Sequence, residues 1–188
     1  MPYPEIYDWL PFGPFSTAEE FLNYIDIRIE RDPALTLWVV YNKKATGDTE
    51  DELVGLIGLL NTDPANLSTE IGFVLTLPPF QRTHVTTHAV GLLLVWCLDE
   101  LKLRRVQWQA NARNEKSVHA AQKMGFAMEG VVRWQRVLPP EKRKAGSKPR
   151  EGDPKPEHHG RDSALLSVCW DDWEGGVKEK VRERMVRQ

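Results

Sequence analysis

The sequence predicts a single α/β (α+β) domain over residues 1–188, and three observations lead to that prediction. A length of 188 residues suits one domain. Hydrophobic residues make up 41 % of the chain, enough for a substantial core. Segments with helical spacing of apolar residues are interspersed with segments of β-type alternation. Helices and a mixed sheet in one domain therefore form the expected architecture.

The first half of the chain predicts one helix and three strands. Ser16-Thr-Ala-Glu19 has the pattern of a capping box, which predicts a helix over 17–31 that stops before Pro33. Apolar and β-branched segments separated by polar turns, one of them containing Gly47-Asp48, then predict a β-meander. The predicted strands cover 35–41, 53–60 and 67–75.

The second half alternates between helices and strands. Residues 85–101 predict a helix that is apolar almost all round and hence buried. The alternation that predicts two of the later strands also places Trp108 and Trp134 in the core. The remaining predictions are strands over 105–110, 126–138 and 161–170, a helix over 114–124 that ends at Gly125, and a terminal helix over 171–187.

Residues 139–160 contain five prolines, many charges and no apolar residue larger than Ala145. This composition predicts a mobile loop.

Charge and composition exclude several classes of protein. The 25 basic and 27 acidic residues give a net charge of −2, which argues against a nucleic-acid partner held by phosphate neutralisation. The longest apolar run, Ala89–Leu98, is about half of a bilayer crossing, and no secretory signal precedes it. Cys97 and Cys169 are too few for a disulfide scaffold. The composition therefore predicts a cytoplasmic protein with no membrane partner.

The segment Gln81–Thr87 opens the apolar helix and has the chemistry of an anion site. The first amides of a helix lack intrahelical partners and lie at the positive end of its dipole, which suits a pyrophosphate. Arg82 adds a fixed positive charge, and Thr83, Thr86 and Thr87 add hydroxyl donors. The alternative interpretation is an ordinary capped helix start that binds nothing.

A second segment, Asn111–Phe126, contains a short capped helix. Asn114 is a good N-cap with Ser117 three residues later, and the small pair Ala120-Ala121 allows close approach of another group. Taken alone, this segment is equally typical of a well-packed structural helix.

Together and in this order, the two segments resemble the GCN5-related N-acetyltransferase (GNAT) family, in its RimJ/RimL-like branch. The pyrophosphate motif (Q/R)xxGx(G/A) maps on Gln81–Thr86. The second motif, Nxx(S/A) followed by KxGF, maps on Asn114, Ser117, Lys123, Gly125 and Phe126. Similar segments are EIGF at 70–73, Glu129-Gly130, GRDSALLSVCWDDW at 160–173 and WLPFGPF at 9–15. The resemblance extends from about residue 9 through nearly the whole chain.

Two departures from the family pattern affect the expected site and fold. His84 and Thr86 replace both loop glycines, and their Cβ atoms would crowd a pyrophosphate unless the backbone there is helical. The family's first strand should precede residue 9, so we expect a GNAT fold without that strand. The strand at 35–41 would then be a sheet edge.

The resemblance implies transfer of an acetyl group from acetyl-CoA to a primary amine, either a protein N-terminus or a small molecule. A catalytically impaired acyl-CoA-binding or interaction protein on the same fold is the alternative. The resemblance also implies a possible homodimer. The residues expected to bind acetyl-CoA are Val74, Leu75, Arg82, Thr83, His84, Val85, Thr86, Thr87, Asn114 and Ser117.

Glu70 is the candidate general base, acting directly or through water, and a purely structural carboxylate is the alternative. A base matters most for a lysine acceptor, which is neutral only about once in 2,500 at pH 7, against roughly one in seven for an α-amine. The tyrosine that many family members use to protonate the leaving thiolate is replaced by Ala121. Ser117 or water would take that role, unless Ser117 only bonds its own helix.

His84 and His88 have the i, i+4 spacing of metal ligands, but no third ligand is evident in the sequence. No metal is therefore expected.

Overall fold

The computed structural model describes residues 3–43 and 51–186, so the predicted Gly47-Asp48 turn lies outside the described residues. The strands are β1 Thr36–Asn42, β2 Glu52–Asp63, β3 Ser68–Thr76, β4 Arg105–Asn111, β5 Ala127–Val137 and β6 Gly160–Cys169. The helices are α1 Ala18–Ile25, α2 His84–Val95, α3 Glu115–Lys123, α4 Trp170–Asp172 and α5 Lys178–Val186. Wider π-helical turns extend α1 through Asp26–Glu30 and α2 through Trp96–Glu100, and Trp173–Val177 joins α4 to α5.

The six strands form one sheet in the order β1-β2-β3-β4-β6-β5. Every neighbouring pair is antiparallel except β3 and β4, which are parallel. The mixed sheet predicted from the sequence is therefore confirmed, and it is mostly antiparallel. Within the described residues β1 pairs only with β2, so it is the sheet edge that we expected.

The core lies between one face of the sheet and the helices. Alternate β4 residues Val106, Trp108 and Ala110 are buried there, and they belong to one cluster with Leu94 of α2 and Val181 of α5. The core position predicted for Trp108 is confirmed.

The opposite face of the sheet is covered in part by the aromatic N-terminal segment. Phe12 stacks on Tyr24 of α1 at a centroid distance of 4.9 Å and contacts Phe73 of β3 at 5.2 Å. Tyr7 is buried and makes edge contacts with Phe12 and Phe15. This cluster forms an apolar wall above the polar face of β3 and β4.

The N-cap of α1 lies one residue later than the sequence predicts. The Thr17 hydroxyl accepts a hydrogen bond from the Glu20 amide at 3.1 Å, and the Glu20 carboxylate accepts one from the Ser16 amide at 2.7 Å. Thr17 and Glu20 have the same types and spacing as Ser16 and Glu19, so the pattern fits both registers.

The prediction that the second helix is buried all round is wrong. Val90 and Leu94 are fully buried, but Leu92 is 62 % exposed and Trp96 is also exposed. The helix packs on the sheet through one side, and no described element covers the other side at Leu92.

The core position predicted for Trp134 is also wrong, because the residue is 55 % exposed. It lies on the edge strand β5 at φ +54°, inside an irregular stretch between Val132 and Arg136. Its backbone amide donates to Asp162, and its ring packs directly over Gly160. The bulge breaks the simple alternation on which the prediction depended.

The proline-rich segment 139–160 contains more regular structure than its composition predicts. Pro140–Ala145 forms a 3₁₀ helix, and Ser147 pairs with Gly160 in a β-bridge. The buried Lys142 ammonium donates to the Tyr7 carbonyl at 2.6 Å. Polar contacts to the backbone thus hold this segment, which has no large apolar side chains to pack into the core. The mobility of the segment stays a prediction.

Candidate active site

The sheet opens between β3 and β4, at the place where the family resemblance puts the cofactor. These strands are paired only from Ser68 with Arg105 to Glu70 with Gln107, and they separate beyond Glu70. On its other side, β3 bulges: Phe73 has φ +50°, and neither it nor Val74 has a partner on β2 before pairing resumes at Leu75. Backbone groups near Val74 are therefore available to a ligand in the opening.

The N-terminus of α2 is attached to the end of β3 beside this opening. Thr83 caps the helix, with its hydroxyl accepting from the Val85 amide at 3.4 Å and donating to the Phe80 carbonyl at 2.6 Å. The hydroxyls of Thr76 and Thr86 are hydrogen-bonded at 2.8 Å. Arg82, just before the cap, has φ +65° and is exposed.

His84 and Thr86, which replace the motif glycines, lie in the first turn of α2. The left-handed backbone instead falls on Arg82, so neither replacement needs a glycine-like conformation. The His84 and His88 rings are 5.0 Å apart, and the His88 Nε2 is 2.5 Å from the Met185 carbonyl. His88 is thus involved in attaching α5 to α2.

The second motif forms the N-terminus of α3 as predicted. The Asn114 side chain accepts from the Ser117 amide at 3.2 Å, and the Ser117 hydroxyl accepts from the buried Trp108 indole at 3.1 Å. A hydroxyl that accepts one bond can still donate its own proton. Ala121, at the position of the family's tyrosine, is fully buried and leaves no proton donor there.

Glu70 lies at the last paired position before β3 and β4 separate, and it is only 5 % exposed. Its Oε2 accepts hydrogen bonds from the side-chain amides of Asn61, at 3.0 Å, and Gln109, at 3.1 Å. Burial raises the pKa of Glu70, an effect opposed by the Asn61 hydrogen bond and by the charges of Arg136 and Arg161. A carboxyl whose pKa rises toward neutrality is suited to proton transfer.

Two arginines next to Glu70 were missed as site residues by the sequence reasoning. Arg161 of β6 is 5 % exposed, and its partner directly across the strand pair is Arg136 of β5. Burial and the nearby Arg136 lower the pKa of Arg161 to about 10, against the opposing effect of Glu70. Arg161 begins the strand predicted over 161–170, directly after the predicted loop, and the alternation of that strand was the signal that could have placed it on this face.

Tyr24 was also missed, because it lies in the predicted first helix and outside both family motifs. Its phenol lies close to Arg28 and Arg136, which lower its pKa, although burial has the larger effect and raises it. Tyr24 therefore connects the aromatic wall to the arginines on the polar face of the sheet.

The structure thus brings together a splayed mixed sheet, a helix N-terminus at the opening and a buried carboxylate at its vertex. The family model "Acetyltransferase (GNAT) domain" matches residues 1–127. The chain therefore belongs to the GNAT acetyltransferase family, and the resemblance predicted from the motifs is confirmed.

The similar proteins agree with this assignment and with the RimJ/RimL-like branch. "Putative ribosomal N-acetyltransferase YdaF" of Bacillus subtilis (strain 168) is 34 % identical over 84 residues, which are 45 % of this chain and 45 % of that protein. The match thus spans less than half of the length of this curated relative.

Two solved structures share the fold. A GCN5-related N-acetyltransferase from Brucella melitensis is 26 % identical with a TM-score of 0.76, covering 98 % of this chain and 72 % of its own. Spermidine N-acetyltransferase from Vibrio cholerae, solved with CoA and spermine, is 16 % identical with a TM-score of 0.64, covering 91 % of this chain and 86 % of its own.

Among the described residues, no helix is both long enough and apolar enough to cross a membrane.

Proposed function

We propose that this protein transfers the acetyl group of acetyl-CoA to a primary amine, on a protein N-terminus or a small molecule. The observation that carries the proposal is Glu70, a buried carboxylate at the vertex of the opening between β3 and β4. The CoA bound to the Vibrio cholerae relative supports a CoA thioester as the donor. The composition of the present chain supports action in the cytoplasm. That it forms a homodimer stays a prediction.

The residues around the opening fit acetyl-CoA. Backbone groups of Val74 and Leu75 would bind the pantetheine amides, because the bulge leaves Val74 without a partner on β2. The pyrophosphate would be held by Arg82, by the Thr86 and Thr87 hydroxyls, and by the amides of His84 and Thr86 in the first turn of α2. Thr83 and the Val85 amide would shape this turn through the cap that they form with one another. Asn114 and Ser117 would line the opening from α3.

When bound, acetyl-CoA supplies an activated acetyl thioester to the acceptor. In the proposed reaction, Glu70 takes a proton from the ammonium, directly or through one water, so that the neutral amine can attack the thioester carbonyl. The new C–N bond forms as the C–S bond breaks, and the sulfur leaves with the electron pair. The nitrogen then gives its remaining extra proton to Ser117 or water, which replaces the proton that this group gives to the thiolate. Ser117, oriented by Trp108, or water donates the proton that the thiolate takes up.

The test of the proposed chemistry is CoA release with a panel of primary amines. We expect Glu70→Gln to lower kcat by about 10²-fold or more, as loss of a general base does. Its stability should stay near that of the wild type, because burial disfavours the charged Glu70 and glutamine keeps an oxygen for Asn61 and Gln109. Glu52→Gln, an exposed carboxylate on β2, is the matched control. Unchanged turnover in Glu70→Gln would remove Glu70 from the mechanism.

Binding of acetyl-CoA is tested separately by calorimetric titration. Arg82→Ala should weaken binding by roughly 10-fold or more, because it removes a charged donor to the pyrophosphate. Lys102→Ala is the matched control, since Lys102 is also an exposed cation at positive φ, +54°. Equal affinities of the two variants would contradict the proposed loop. Tight binding without turnover of any amine would favour the alternative, an acyl-CoA-binding protein without catalysis.

A further inference from the structure

The polar face of the sheet carries an unusual pair of like charges. Arg136 and Arg161 are directly opposite one another on antiparallel β5 and β6, where like charges repel. Arg136 is exposed at the rim, whereas Arg161 lies beneath it and is 95 % buried, being 5 % exposed. A buried arginine normally has a carboxylate or phosphate partner.

The structure provides no such partner for Arg161 among the described residues. None of the ion pairs within 4.0 Å includes it. The Arg161 Nε and the Ser163 hydroxyl are the buried side-chain polar atoms without a hydrogen-bond partner in the described part of the chain. Ser163 is 1 % exposed and, two residues from Arg161 on β6, faces the same side of the sheet. A guanidinium with an unbonded Nε–H, beside an orphaned serine hydroxyl, is the complement of an anion.

Glu70 does not satisfy these donors. Its Oε2 already accepts from Asn61 and Gln109, and it forms no ion pair with either arginine. Arg136 and Arg161 carry two positive charges against the single charge of Glu70 when ionised. The polar face is therefore short of negative charge at the end near Arg161, while the carboxylate that can receive a proton lies next to it.

We propose that the acceptor is a primary amine that also bears a carboxylate, which Arg161, Arg136 and Ser163 bind while the amine faces Glu70. The proposal rests on the proposed function, because it names the acceptor class of the same site. A polyamine brings only positive charge and would be repelled by the two arginines. The carboxylate has two possible sources, the α-carboxylate of a free amino acid or the side chain of an acidic residue that begins a peptide.

The binding test uses product analogues, so it does not depend on turnover. N-acetyl amino acids are titrated into the full chain beside their carboxamides, and acetylated tripeptide amides beginning with Asp or Glu are titrated beside those beginning with Asn or Gln. We expect at least one acid to bind roughly 10-fold or more tightly than its neutral partner, because a charged hydrogen-bonded pair is lost in the amide. The first arm identifies free amino acids and the second arm identifies peptides.

Variants assign the preference to the arginines. Arg161→Gln should reduce the acid-over-amide preference to near unity, and Arg133→Gln, an exposed arginine on the same strand as Arg136, should preserve it. Arg161→Gln also removes a buried charge that has no ion-pair partner among the described residues, so its melting temperature should not fall. If that variant does not fold, Arg136→Gln at the exposed rim gives the same test with a partial loss.

The outcomes separate this inference from the proposed function. Equal binding of every acid and its amide, no binding of either, or a preference that persists in Arg161→Gln would overturn the carboxylate subsite. Acid preference without acetyl transfer to any amine would leave the subsite and overturn the proposed function. Efficient acetylation of spermine, with no faster turnover of amines that bear a carboxylate, would support the proposed function and overturn the carboxylate subsite.

Discussion

At the scale of single residues, Glu70 and Glu129 are two carboxylates of one sheet with opposite pKa shifts. Burial raises the pKa of Glu70, because its partners are neutral amides and the arginines lie too far away for an ion pair. Two hydrogen bonds from Arg105, at 2.6 and 2.5 Å, and one from the Ser167 hydroxyl lower the pKa of Glu129 to about 2. Glu70 is thereby suited to proton transfer, and Glu129 to holding β4, β5 and β6 together.

The pH dependence of stability should follow the Glu129 shift. A lowered pKa in the folded state stabilises the fold above the unfolded pKa of about 4.3, and this contribution is lost as the pH falls toward 2. Because the Glu129 side chain is 36 % exposed, solvent screens the pair, and we expect Glu129→Gln to cost only about 0.5–1 kcal/mol at pH 7.

Urea unfolding of Glu129→Gln and wild type between pH 7 and pH 3 measures this difference. The difference in the free energy of unfolding between wild type and Glu129→Gln should narrow as the pH falls below about 4.3. The same urea series on Glu52→Gln, at an exposed position on β2, is the matched control. A constant gap for Glu129→Gln would show that Glu129 acts through packing rather than charge.

At the scale of secondary-structure elements, hydropathy located α2 but not its exposed side. Its residues are apolar on nearly every face, so the apolar periodicity does not show which face of the helix packs on the sheet. The structure shows that Val90 and Leu94 face the sheet and α5, whereas Leu92 points away from both. The exposed side of α2 lies next to the edge strand β1, with Trp38 and Trp96 in edge contact at 5.8 Å.

Matched leucine truncations in α2 test this orientation. Leu94→Ala should lower the free energy of unfolding by about 2–5 kcal/mol, because it leaves a cavity in the core. Leu92→Ala should change it by less than about 0.5 kcal/mol, since the side chain is exposed and alanine favours the helix. Chemical denaturation of both variants gives the comparison. Similar losses would show that Leu92 is covered in solution, as a homodimer could do.

The caps show how much of an element the sequence can specify. Asn114 and Gly125 delimit α3 as predicted, because an Asx cap and a glycine at φ +90° act locally. The start of α1 was predicted one residue early, since Ser16 and Thr17 offer equivalent caps. Local chemistry determines that a cap exists, whereas packing of the whole helix selects its register.

At the scale of the whole molecule, the site is assembled from segments far apart in the sequence. Glu70 belongs to β3, Gln109 to β4, Arg136 to β5 and Arg161 to β6, while Tyr24 arrives from α1. The short parallel pairing of β3 with β4 creates the opening, and the N-terminal aromatic segment covers the face that carries the charges. Motifs in the sequence indicated the N-termini of α2 and α3 as parts of the site. They did not indicate the polar face of the sheet that carries Arg136 and Arg161.

The sequence by itself determined the order of elements, the family and the capped helix starts beside the opening, and it proposed Glu70 as the candidate base. These properties are encoded in short segments, through spacing, capping and turn chemistry. Only the tertiary structure decided that Arg136 and Arg161 are opposite one another, that Trp134 is exposed, and that residues 140–145 form a helix against Tyr7. The physical reason is that alternation tells which face of a strand a residue occupies, whereas burial, pKa and partners depend on what covers that face.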